Sequence, residues 1–76
     1  MESPVPTHRP SIGRVTSFDA ARGLGTVVDS RGDAFDFHAT AIADGSRAIE
    51  VGTAVTFAVV PGRRGRYEAG ALIALG

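Results

Sequence analysis

Asp36 and His38 are the two side chains in this chain whose types and spacing most clearly offer chemistry. One apolar residue, Phe37, separates them, so in an extended segment they share a face. A histidine there can stack on a flat ligand or hydrogen-bond its edge, with Asp36 holding the imidazole in one tautomer. Ser17 would complete the residue types of a nucleophilic triad. However, two positions along a strand separate backbones by roughly 7 Å, and no Gly-x-Ser-x-Gly elbow is present. No catalytic residue is assigned, and the chain is not expected to be an enzyme. Metal chemistry fares no better, because zinc needs three or four ligands and the chain has two histidines and no cysteine. No metal and no cofactor are expected. The remaining candidates are cationic: Arg22, just before Gly23-Leu24-Gly25, and Arg63, Arg64 and Arg66 in the loop Pro61–Arg66. Guanidinium groups bind phosphate in a fixed fork and also stack on planar rings. Gly23-x-Gly25 is not a dinucleotide fingerprint, since Val28 stands in place of the third glycine and no long helix follows.

The elements that must position these residues are short strands. From Ile12 to Phe18 apolar and polar residues alternate around Val15, and Asp19–Arg22 reads as a turn opened by aspartate. A second strand runs from Gly23 to Asp29, with both glycines on one side of a period-2 pattern. A glycine pair inside a strand points to curvature or close backbone approach. Ser30-Arg31-Gly32-Asp33 is a hairpin turn. The third strand, Ala34–His38, directs Phe35 and Phe37 to the core and Asp36 and His38 outward. Thr40–Ala43 suits one helical turn with Ile42 packed inward. A fourth strand from Thr53 to Val60 presents Val55, Phe57 and Val59 on one face. A fifth runs from Tyr67 to Leu75. Val15, Val27, Phe35, Phe37, Ile42, Val55, Phe57, Val59 and Leu72 form the expected core. Five short strands with turn signals between them describe a small all-β barrel or sandwich.

Composition bounds the rest. Seventy-six residues make one small domain, here divided into a flexible Pro-rich tail over residues 1–11 and a barrel over 12–76. Eight basic residues, all arginine, balance eight acidic ones. A binder that holds polyanions by charge alone is normally strongly basic, so that class is disfavoured. No apolar run reaches the length of a membrane span, no signal peptide is evident, and cysteine is absent. A cytoplasmic monomer without membrane association is the expectation.

The order of motifs resembles a cold-shock domain. Gly13-Arg14-Val15-x-x-Phe18-Asp19, Arg22-Gly23-Leu24-Gly25-x-Val27, Asp33 to Ile42, and Val51-Gly52-x-Ala54-Val55-x-Phe57 follow one another as in that family. The likeness covers roughly residues 12 to 75. It implies a five-stranded Greek-key barrel of OB type that binds single-stranded RNA or DNA through aromatic rings on adjacent central strands. In the family the position matching Ser17 is usually Trp, and those matching Leu24, Thr26, Asp36, Ala39 and Ser46 are usually Phe. This chain has no ring at any of the six. The resemblance therefore implies weak strand binding through His38, Phe18, Arg22, Asp36 and the loop arginines Arg63, Arg64 and Arg66. A barrel that has lost nucleic-acid binding and serves as a protein-interaction module is the alternative.

Overall fold

The computed structural model describes residues 10–62 and 65–75. Within them the chain forms β1 (Ser11–Asp19), β2 (Leu24–Asp29), β3 (Ala34–His38), a 3-10 turn (Ala39–Ala41), β4 (Ala54–Pro61) and β5 (Tyr67–Ala74). The strands close into a barrel in the order β1-β2-β3-β5-β4, with β4 returning to pair with β1. All ladders are antiparallel except β3–β5, which is parallel. This all-β, five-stranded closed barrel is consistent with an OB-type Greek key. Residues 1–9 of the Pro-rich segment lie outside the described residues, and β1 starts at Ser11, one residue before the expected Ile12. No described helix is long and apolar enough to cross a membrane.

Alternation builds the core. Val15, Val27, Phe37, Ile42, Val55, Phe57, Ala69 and Leu72 form one buried cluster, with Phe18, Phe35 and Ile49 packed against it. Phe35 is half-buried and meets Phe57 in a tilted contact, ring centroids 5.7 Å apart. Val59 was expected in this core but is exposed. It pairs with buried Ala69, yet β1 accompanies β4 only as far as the Ser11↔Phe57 pair, so Val59 projects past the barrel's covered end. Two irregularities bend the strands. Thr16 is an extra residue between the pairs Val15↔Val27 and Ser17↔Thr26. In β5 two residues, Ala71 and Leu72, oppose the single Phe57 between Thr56↔Ile73 and Ala58↔Gly70, and Ala71 there takes a positive φ of 51°. Bulges increase local twist and coil a sheet tightly, as a closed barrel of short strands requires.

The two glycines around Leu24 do different jobs. Gly23 belongs to the turn and not to β2: its φ is 67°, and its N–H donates to the Asp19 carbonyl at 2.8 Å. Asp19 Oδ1 accepts from the amides of Ala21 and Arg22, so the turn is held by the aspartate that opens it. Gly25 sits inside β2, between Phe18 on β1 and Phe37 on β3. A Cβ there would fall 2.5 Å from the Phe37 ring and 2.7 Å from the Ser17 carbonyl oxygen. Close approach, rather than backbone freedom, demands this glycine.

The β2–β3 turn is organised by Asp29, whose Oδ1 accepts from the amides of Arg31 and Asp33 at 2.9 and 2.8 Å. Asp44 makes a similar turn further on, accepting from the Ser46 amide at 2.8 Å. That backbone hydrogen bond, followed by the Ser46 side chain, holds the Asp44 carboxyl below its ordinary value. A carboxylate depressed in the folded state stabilises it at pH above the unfolded value, and the effect fades as pH falls through the folded one. An NMR titration should therefore place the Asp44 midpoint below that of aspartate in an unstructured peptide. The turn should loosen only below about pH 4. A midpoint at or above the peptide value would contradict the turn geometry.

Candidate nucleic-acid interface

The bulge at Thr16 decides which side chains of β1 face solvent. Before it Gly13 and Val15 point inward; after it Ser17 points out and Phe18 points in. The Phe18 ring is stacked on that of Phe37, with 6° between the ring planes and centroids 6.0 Å apart, and packs on the core. Its stacking partner is thus a protein ring. Phe18 was singled out as a binding side chain, and the structure brings it to the inner side of the wall whose outer side carries the other candidates.

On that outer side the register makes two rows. Ser17 pairs with Thr26, Thr26 with Asp36, and Asp36 with Glu68, giving four hydrogen-bonding side chains across β1, β2, β3 and β5. The second row joins Asp19, Leu24 and His38. His38 is exposed and Leu24 is 40% exposed, so the paired residues make an exposed patch at the end of β3. Asp36 takes a hydrogen bond from Thr26 Oγ1 at 3.4 Å, across the strand pair, instead of orienting His38. The reason is geometric: the paired residue on the next strand is nearer than the second residue along the same strand. Ala39, expected on this face, is buried where its amide donates to the Gly23 carbonyl at 2.8 Å.

The arginines flank these rows. Arg22 lies exposed in the β1–β2 turn, beside the end of β3 that carries His38. Arg66 is exposed just before β5, and its carbonyl accepts from the Gly62 amide at 2.6 Å. Because β3 and β5 run parallel through Asp36↔Glu68, Arg66 lies toward the start of β3, at the opposite end from His38. Four residues of strand put those ends roughly 13 Å apart. Arg63 and Arg64 lie outside the described residues. Tyr67, beside Arg66 and opposite Pro61, is exposed. The sequence did not draw attention to Thr26 and Glu68 as neighbours of Asp36, because only the register creates that contact. Arg14, part of the Gly13-Arg14-Val15 motif, donates from Nη1 to the Gly52 carbonyl at 3.0 Å and ties β1 to the turn before β4. Among the described residues no group of three or more His, Asp or Glu is placed to hold a metal.

No protein-family model matches this chain, and no curated protein sequence does either.

Proposed function

We propose that this barrel binds single-stranded nucleic acid, RNA or DNA, weakly and without catalysis, in the manner of a cold-shock domain whose stacking rings are gone. The observation that carries the reading is the outer face of β1, β2 and β3. It is a continuous exposed surface with Arg22 and His38 at one end and Arg66 at the other. In an OB-type barrel this is the face along which a strand tracks. Stacking contributes about 1–3 kcal/mol per base, so losing three rings would remove about 3–9 kcal/mol if the terms added. Backbone contacts then dominate, and dissociation constants of roughly 1–100 μM are expected. Such a protein fits a cytoplasmic chaperone or regulatory role acting as a monomer.

Titration with mixed-sequence oligonucleotides at two salt concentrations tests this. Affinity should fall by about 0.7 log units per decade of salt for each phosphate neutralised. His38→Ala should weaken binding about fivefold or more if a base rests on the imidazole. No binding at low salt up to millimolar strand would remove the proposal.

One observation favours a second reading, a protein-interaction module. On the far side of the barrel, Ile12 and Ile73 are 57% and 54% exposed and flank Thr56 in register, with exposed Leu75 nearby. Apolar groups gathered on an outer sheet face suit a protein partner better than a polyanion.

A further inference from the structure

We infer that the Asp36–Thr26 pair reads the edge of a base and makes the face selective for guanine over thymine or uracil. This rests on the strand-binding reading above and names its specificity. Asp36 is exposed at the centre of the outer face, between the two cationic ends, so a strand held by Arg22 and Arg66 crosses it. Its neighbours across the ladders are Thr26 and Glu68. The exposed Asp36 carboxylate repels phosphate, while the Glu68 side chain reaches to Gly62 after β4, so the sugar–phosphate chain is pushed to the flanks of Asp36 and a base is turned toward it. A base resting on the Leu24–His38 patch has its ring about one strand repeat, roughly 7 Å, from Asp36, and meets the carboxylate with its edge.

The chemistry of that edge discriminates. An ionised carboxylate only accepts hydrogen bonds, through two oxygens with two lone pairs each. The Thr26 hydroxyl uses one lone pair of Oδ1 at 3.4 Å and restrains the group, leaving both oxygens able to accept. In a single strand the Watson–Crick edges are free. Guanine offers N1–H and N2–H side by side, a match for both carboxylate oxygens. Cytosine and adenine each offer one exocyclic amine beside a ring acceptor. Thymine and uracil offer N3–H between two carbonyl oxygens that the carboxylate repels. The predicted order is guanine first, cytosine and adenine next, thymine and uracil last. Stacking rings read any base; an acceptor-only side chain does not.

The probes are thymine heptamers carrying guanine, cytosine, adenine or thymine at the central position, too short of guanine to self-associate. For the intact chain at low salt, the guanine strand should bind about 5- to 150-fold more tightly than the all-thymine one. Asp36→Asn should bring that ratio toward one while raising affinity for the all-thymine strand, because a charge opposing phosphate is gone. Thr26→Val, which frees the carboxylate, should lower the ratio less. A change of fold would shift all four strands together, so the ratio isolates readout at the edge. Equal affinity for the four heptamers, or an unchanged ratio in Asp36→Asn, would overturn the inference while leaving strand binding intact. Failure of every heptamer to bind would overturn both.

Discussion

Gly25→Ala should lower the unfolding free energy by about 3 kcal/mol, the upper end for overpacking a well-filled core. The new methyl would meet the Phe37 ring at 2.5 and 2.8 Å and the Ser17 carbonyl oxygen at 2.7 Å. The ring cannot retreat easily, because Phe37 is fully buried and Phe18 lies parallel to it. The carbonyl cannot move without disturbing the β1–β2 ladder. A domain of this length has a total stability of roughly 4–11 kcal/mol, so the loss is a large fraction of it. Thermal unfolding followed by circular dichroism should show a midpoint lower by about 12–24 °C. Combining Gly25→Ala with Phe37→Leu should cost less than the two single changes added together, since the smaller side chain leaves room for the methyl. A midpoint within two or three degrees of the parent would mean that the packing around β2 is looser than described.

The largest gain should come from returning rings to the outer face. Leu24→Phe together with Thr26→Phe should tighten binding of a mixed-sequence strand at least about 30-fold, taking the lower value of ~1 kcal/mol for each stacked base. Both positions point out of adjacent turns of the pleat on β2, which is the central strand of the face. Aromatic residues suit strands, and neither change intrudes on the core, so stability should hold. The Thr26 hydroxyl would be lost from Asp36, and guanine preference should fall as affinity rises. Fluorescence anisotropy against the parent chain measures this directly. Unchanged affinity would show that no strand passes over β2, and would move weight to the apolar strip of Ile12, Ile73 and Leu75 as the working surface.

Much of the barrel was legible from local pattern. The strand cores around Val15, Val27, Phe37, Val55 and Phe57 alternate as half-buried strands must, and all five residues are buried. The turn opened by Asp19 follows from an aspartate that accepts its own downstream amides, while the Ser30–Asp33 turn was legible from Gly32 and only the structure shows Asp29 holding it. The face of His38 and Asp36 follows from their spacing about Phe37. Where two glycines looked equivalent, the structure separated them into a turn residue and a packing residue.

What local pattern could not supply is parity across a bulge and identity across a ladder. Thr16 is an ordinary strand residue in sequence, yet as the extra residue of β1 it exchanges the inward and outward roles of Ser17 and Phe18. A ring that read as a binding platform is thereby packed on Phe37. Ala71 does the same in β5, so that Ala69 and Leu72, three residues apart, both reach the core. The neighbours of Asp36 are Thr26, ten residues before it, and Glu68, beside it only because β5 returns parallel to β3. Alternation along one strand is a property of that strand's own backbone, so the sequence alone determined it. Register belongs to pairs of strands and is settled by closure of the whole barrel, so only the tertiary structure could decide which side chains meet at the face where a ligand would lie.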